Sequence, residues 1–290
     1  MTPSRVLVLV TGGAGYSGSH AVAALRDAGW DVAVIDNLRT GFRYAIPDDV
    51  AFYEDGIENK ALKTQIFSER GIGAIMHFAG SIIVTESVEK PLNYYRNNTV
   101  NSHGLVTTAI AAGIRHFIFS STAVVCGNPT AIPIGETHPT APINPYGRSK
   151  LMTEMMLADT AEAHDFNFFA LRYFNVAGAD PDLRTGQSTA GATHLIEVAV
   201  EAALGKRDYV AVYGTDYDAA DGTLHRRADR AMLASDLPAM RRRVAVGVGE
   251  GGRAVVVRGR HVAPLVFVKA VHVVAIVDGV GMFTEKNKNR

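Results

Sequence analysis

The chain of 290 residues has a single cysteine, Cys126. That excludes a disulfide framework within the chain and fits a reducing compartment. Net charge is absent as well, since 29 Lys and Arg balance 29 Asp and Glu. No global field therefore draws the protein to nucleic acid or to an acidic membrane surface. No uncharged run approaches the ~18 residues that a membrane-crossing helix needs. The nearest stretch, Pro264 to Asp278, is broken by Lys269 and His272, and its valines read as β structure. The first apolar run is too short for a secretory signal, so a cytoplasmic protein is expected. No metal-ligand spacing is visible, and His20, His77 and His194 read as structural. Aromatic residues are missing from Asp218 to Val266, where residues 226–260 hold nine arginines. That stretch reads as a solvated region, as a basic arm, or as an out-of-frame translation of GC-rich DNA. Without interleaved aromatics the basic arm is disfavoured, and the out-of-frame reading is preferred.

What is present is concentrated at the start. Val6 to Val10 is an apolar run of the kind that forms a buried parallel strand. It leads into Gly12, Gly15 and Gly18 and then into a helical pattern from Ser19 to Ala28. Strand, glycine turn and helix form a site where backbone N–H groups and the positive helix end receive a pyrophosphate. Val32 to Asp36 is a second short strand ending in an acid, about 20 residues beyond the glycines, where a carboxylate accepts from ribose hydroxyls. Asp36 would repel a 2′-phosphate, so NAD is expected over NADP. Further strands are expected at Ala74–Gly80, His116–Ser121 and Phe168–Phe174, with helices at Asn97–Ala112 and Pro145–Ala163. This alternation predicts an α/β fold with a doubly wound, Rossmann-type parallel sheet. Residues 1–174 would form the NAD-binding domain and 175–290 a smaller substrate lobe.

Tyr146-Gly-Arg-Ser-Lys150 puts a phenol and an ammonium on one helical face. A free phenol has a pKa near 10. A neighbouring lysine and a positive nicotinamide ring would make Tyr146 a usable base near neutral pH. Lys150 could also bond the nicotinamide ribose. Thr122, at the end of the preceding strand, can relay a proton between substrate and Tyr146. The alternative for Thr122 is a residue that caps the turn.

These motifs, taken in order, resemble the extended short-chain dehydrogenase/reductases and within them the UDP-glucose 4-epimerase family. The matching text is Thr11–His20, Asp36-Asn-Leu38, His77–Gly80, Glu86-Ser-Val88, Pro91–Asn98, Phe119–Ala123, Tyr146–Lys150, Leu171–Gly178, Tyr213–Tyr217 and Asp221–Thr223. The resemblance implies a tightly held NAD and 4-epimerisation of a UDP-hexose, with no net redox change. Tyr146 would take the proton of the sugar 4-hydroxyl with Thr122 relaying, while C4 is transiently oxidised and its hydride then returned. Gly12, Gly15, Tyr16, Ser17 and Gly18 would lie at the cofactor, as would Asp36 and Asn37. Phe78, Ala79 and Gly80 would line the nucleotide cleft, with Asn97, Tyr146, Lys150 and Tyr173 also near the cofactor. Thr122, Tyr146 and Asn175 would meet the sugar nucleotide. Ala123 and Val124, where related dehydratases carry acids, favour epimerisation. A homodimer through sheet-flanking helices is also implied. The rival readings are another NDP-sugar epimerase of this fold, such as a uronate epimerase, and an NAD-binding chain without turnover.

The chain departs from the family pattern at several places. Ser17 replaces isoleucine, which would loosen helix–sheet packing. Asp55-Gly56 inverts the usual Gly-Asp, displacing a carboxylate near the adenine. Cys126 replaces tyrosine and would leave a hole or a small hydrophobe, and Ile82 stands where some members carry lysine. After Thr223 the arginine-bearing strand that grips the diphosphate is replaced by Leu224-His-Arg-Arg-Ala-Asp-Arg230. Arg226 and Arg227 are candidate substitutes. The chain stops some tens of residues before the family does, and residues 224–290 are expected to be poorly ordered.

Overall fold

Short apolar strands, buried on both faces, run through the middle of the molecule. The computed structural model describes residues 6–129, 134–135, 138–189, 195–206, 208–210, 228–230 and 255–258. Six strands lie parallel: β1 (Leu7–Thr11), β2 (Asp31–Asp36), β3 (Ala51–Glu54), β4 (Ile72–His77), β5 (His116–Ser120) and β6 (Asn167–Arg172). Their spatial order is β3-β2-β1-β4-β5-β6. The helices are α1 (Tyr16–Asp27), α2 (Lys60–Glu69), α3 (Val84–Glu89), α4 (Pro91–Tyr94), α5 (Asn101–Ala111), α6 (Pro145–Ala163) and α7 (Leu195–Ala203). A π-helical segment, Tyr95–Val100, joins α4 to α5.

Alternation along the strands divides the core into two layers. Val8, Val10, Val34 and Met76 pack on one face with Val22 and Leu25 of α1. Leu9, Ile35, Ile75 and Phe119 pack on the other with Ile66 of α2, Leu105 of α5 and Leu157 of α6. β1 is flanked by β2 on one side and β4 on the other, so the strand order reverses there. In open α/β sheets, ligands bind at that reversal, beyond the strands' carboxyl ends.

Several details differ from the sequence expectation. β3 and α2 fall between the segments that the pattern marks. β3 is a four-residue, half-buried strand, and α2 buries Lys63 beside Ile66, so neither shows a clean apolar period. The main sheet is also not wholly parallel. β9 (Val255–Arg258) pairs antiparallel with the outer side of β6. A separate two-stranded sheet joins β7 (Asn175–Ala177) to β8 (Ala228–Arg230). Ser17 is half-buried at the edge of the buried face of α1, one turn before Ala21. His194, Pro264–Asp278 and most of 224–290 lie outside the described residues. Among the described residues, no helix is long and apolar enough to cross a membrane.

Candidate active site

The turn after β1 is closed too tightly for side chains. Gly12 has φ +70°, and a Cβ there would lie 2.5 Å from the Ala79 nitrogen. A Cβ on Gly18 would come within 2.1 Å of the Gly12 carbonyl oxygen. Helix α1 begins at Tyr16, and its N-cap, Gly15, supplies no side-chain acceptor. The first-turn N–H groups of a helix have no partner within it, and they carry its positive dipole end. Gly18→Ala is therefore expected to cost about 1–3 kcal/mol by overpacking and to abolish nucleotide retention. Urea unfolding and a cofactor fluorescence titration would check both.

Asp36 stands opposite this turn, at the end of β2. Its carboxylate accepts from Ala14 N at 2.9 Å and from Leu38 N at 2.8 Å. Burial raises its pKa, against these backbone bonds, which lower it. Leu38 holds φ +55°, a left-handed conformation uncommon for a non-glycine residue and of the kind found at functional turns. The Asn37 side chain accepts from Arg39 N at 3.1 Å. Asp55 is engaged inside its own loop, accepting from Gly56 N and Asn59 Nδ2, both at 2.7 Å.

The other wall follows β4. Phe78 N and Ala79 N both donate to the Thr11 carbonyl, at 2.8 and 3.0 Å, which ties this loop to β1. Asn97, expected near the cofactor, donates to Ser81 Oγ at 2.9 Å. Its neighbour Asn98, missed in the sequence, is buried and clamps both N–H and C=O of Ser81 while reaching Ser149 Oγ on α6 at 3.0 Å. Both asparagines lie on the π-helical segment, a feature that recurs at functional sites. A period-based reading cannot see it.

Tyr146, Lys150 and Thr122 converge where β5 ends. α6 starts with Asn144 as N-cap, its side chain accepting from Gly147 N at 2.8 Å, and with Pro145 in the first turn. That start sets the phase that turns Tyr146 and Lys150 inward, and both are buried. Lys150 Nζ donates to the Ser120 carbonyl at 2.9 Å and lies 5.0 Å from the centre of the Phe119 ring. Burial pulls its pKa down to about 8, against the charge of Glu154, which raises it. Burial pushes the Tyr146 phenol up, and a hydrogen bond with Thr122 brings it partly back. The Thr122 hydroxyl also accepts from Val124 N at 3.2 Å, so the turn-capping role coexists with the contact to tyrosine. Tyr94 meets the Tyr146 ring edge-on at 6.4 Å.

Tyr173 ends this row, with its hydroxyl bonded to Ser120 Oγ and its pKa raised mainly by burial. Asn175 is half-buried on β7, and Tyr16 donates to the Gly178 carbonyl at 2.7 Å. Cys126 is buried, but it does not sit in a simple apolar hole, because its thiol meets the Arg172 guanidinium. His77 is buried between Thr11 Oγ1 (2.7 Å) and Ser102 Oγ (2.8 Å). Burial pushes its pKa down to about 3, so it is neutral. Ile82 is exposed.

A glycine cradle at a strand-order reversal, an acid ending the second strand and a helix N-terminus without a side-chain cap define a dinucleotide-binding α/β fold. The NAD dependent epimerase/dehydratase family matches residues 8–226, and the chain belongs to that family. It is 56% identical over 225 residues to a UDP-glucose 4-epimerase of Azospirillum brasilense, an alignment covering 78% of this chain and 65% of that protein. Among solved structures, it resembles the Brucella ovis UDP-glucose 4-epimerase in complex with NAD, with a TM-score of 0.75 and 42% identity over 78% of this chain and 69% of that one. The Bifidobacterium longum UDP-glucose 4-epimerase in complex with NAD+ and UDP gives a TM-score of 0.74 and 36% identity, over 78% and 70% of the two chains. The chain thus spans just under two thirds of the A. brasilense relative.

Proposed function

We propose that the protein binds NAD and interconverts the C4 epimers of a UDP-hexose, UDP-glucose and UDP-galactose. The observation that carries this reading is the meeting of the cofactor crevice with the tyrosine–lysine pair. A Cβ on Gly80, in the loop facing the glycine turn, would lie only 3.4 Å from Lys150 Nζ. The side-chain-free cradle of Gly12 and Gly18, the α1 N-terminus and the Asp36 carboxylate fit a dinucleotide. The pyrophosphate would rest on the first turn of α1, from Gly15 to Gly18, and the adenosine ribose on Asp36. Phe78, Ala79 and Gly80 would form the opposite wall, with Asn97 and Tyr173 beyond it. When bound, NAD supplies a hydride acceptor for the sugar C4 and a positive ring beside the phenol.

Tyr146 removes the proton of the sugar 4-hydroxyl and later returns it. Thr122 orients that phenol and relays the proton. The phenol of the chain by itself is raised by burial, so it holds its proton at neutral pH until a second positive charge joins Lys150. Lys150 is an ammonium below about pH 8, and with NAD bound it would favour phenolate and bond the nicotinamide ribose. Asn175 would contact the sugar nucleotide.

The test is turnover of UDP-galactose by the purified chain, with bound NAD measured after denaturation. Turnover with NAD present is expected. A folded chain that carries NAD and turns over neither UDP-galactose nor UDP-glucose would remove the epimerase reading.

A homodimer is proposed through α4, the π-helical segment and α6. Leu92 and Val100 are exposed at 78% and 60%, and Met155 of α6 at 59%. Leu92 lies on α4 and Val100 ends the π-helical segment that continues it. Sedimentation equilibrium is expected to give two chains for the wild type and one for Leu92→Glu combined with Met155→Glu.

A further inference from the structure

Tyr146, Lys150 and Glu154 follow one another at four-residue intervals, so a single face of α6 carries all three towards the sheet. Nothing in the proposed reaction uses Glu154, yet it is 5% exposed. A buried carboxylate is costly unless paired, and this one is fully paired. Arg172 Nε, from β6, donates to both of its oxygens at 3.0 Å, and the guanidinium's Nη2 makes a second contact with Oε2. Ser121 Oγ donates to Oε1. Ser121 lies between Ser120, whose carbonyl accepts from Lys150 Nζ, and Thr122, which touches the Tyr146 phenol. The carboxylate therefore joins α6, β6 and the end of β5 at the level of the reacting pair.

We propose that Glu154 is a positioning residue for the reaction: its buried carboxylate, clamped by Arg172 and Ser121, sets the strand end that holds Lys150 and presents that ammonium with a fixed negative charge. The proposal rests on the reading of Tyr146 and Lys150 as the reacting pair. Among the described residues the ionisable groups around Lys150 are these: Tyr146 and Glu154 share its helix, His77 of β4 is neutral, Arg172 of β6 is paired with Glu154, and Tyr173, just past the end of β6, is an uncharged phenol. Among the described residues, Glu154 is the carboxylate that acts on Lys150, and Arg172 pairs with it inside the protein.

The test is the titration midpoint of the Lys150 ammonium in the full-length chain without added ligand. It is followed by NMR of 15N-labelled lysine and assigned by the signal lost in Lys150→Met. Glu154→Gln is expected to lower the midpoint by about one unit, and Glu154→Asp to keep it near the wild-type value. Because Glu154→Gln leaves Arg172 buried and unpaired, it is accompanied by the double variant Glu154→Gln with Arg172→Met, which removes both charges. The double variant is expected to fold and to show a midpoint below the wild-type value but above that of Glu154→Gln, in which Arg172 is an uncompensated positive charge. An unchanged midpoint in either folded variant overturns the proposal. So does a double variant that does not fold, since the pair would then be a folding element and not a charge held for Lys150. A chain that shows the expected shifts but lacks epimerase turnover would remove the proposed function and leave the coupling of Glu154 to Lys150 standing.

Discussion

Tyr146→Phe is expected to lower UDP-galactose turnover by about 10²–10⁴-fold, the usual contribution of a positioned acid–base group. Loss of one hydroxyl removes the only atom of this side chain that can hold the sugar proton, and leaves the ring in place. The ring is buried and packs edge-on against Tyr94, so the substitution keeps its apolar contacts. NAD content and urea midpoint should therefore stay near wild-type values. Turnover falling with no change in either places the defect in proton transfer. A parallel loss of NAD would mean that the phenol holds the cofactor and not the reacting proton. Thr122→Val should show a smaller defect in the same direction, since Thr122 acts on the substrate through or beside that phenol.

Lys150→Met is expected to make the protein more stable and less able to retain NAD. Burial has depressed the Lys150 pKa from 10.5 to about 8. At about 1.36 kcal/mol per unit, burying the ammonium costs roughly 3 kcal/mol at neutral pH. The lost hydrogen bond to the Ser120 carbonyl returns about 1 kcal/mol of that, for a net gain of about 2 kcal/mol. The pH dependence fixes the sign. Between pH 8 and 10.5 the unfolded chain holds a proton that the folded chain has released, so wild-type stability rises with pH across that window. The advantage of Lys150→Met is then full below pH 8 and gone near 10.5. Urea unfolding at pH 7 and pH 10 distinguishes this from a plain packing effect, which would be the same at both. A variant less stable than wild type at pH 7 would show that the Ser120 bond outweighs the cost of the buried charge. A buried charge kept at such a cost is what a functional site shows.

Gly12, Gly15, Gly18, Asp36 and the Tyr146–Lys150 pair were all legible in the sequence, for a physical reason. Each is fixed by local geometry: a glycine turn in which a Cβ on Gly12 or Gly18 would strike backbone, an acid ending an apolar strand, two side chains one helical turn apart. The alternation of apolar strands with helices likewise determined the doubly wound class, because a buried parallel strand must be apolar on both faces. Other features depended on partners far away in the chain. Asn98 rather than Asn97 became the buried clamp because a π-helical segment rotated it towards Ser81 and Ser149. Cys126, read as a small hydrophobe, met a guanidinium because β6 brings Arg172 beside it. Lys63 broke the pattern of α2 because its ammonium turns back to the Ile57 carbonyl, a contact that periodicity does not encode. Glu154 carried the signal of its spacing from Lys150, but only the sheet could show that Arg172 and Ser121 close around it. The sequence by itself determined which groups the site can draw on, since those are set by residue type and short-range geometry. The tertiary structure decided their charge and their partners, because burial and long-range pairing exist only once the strands have assembled.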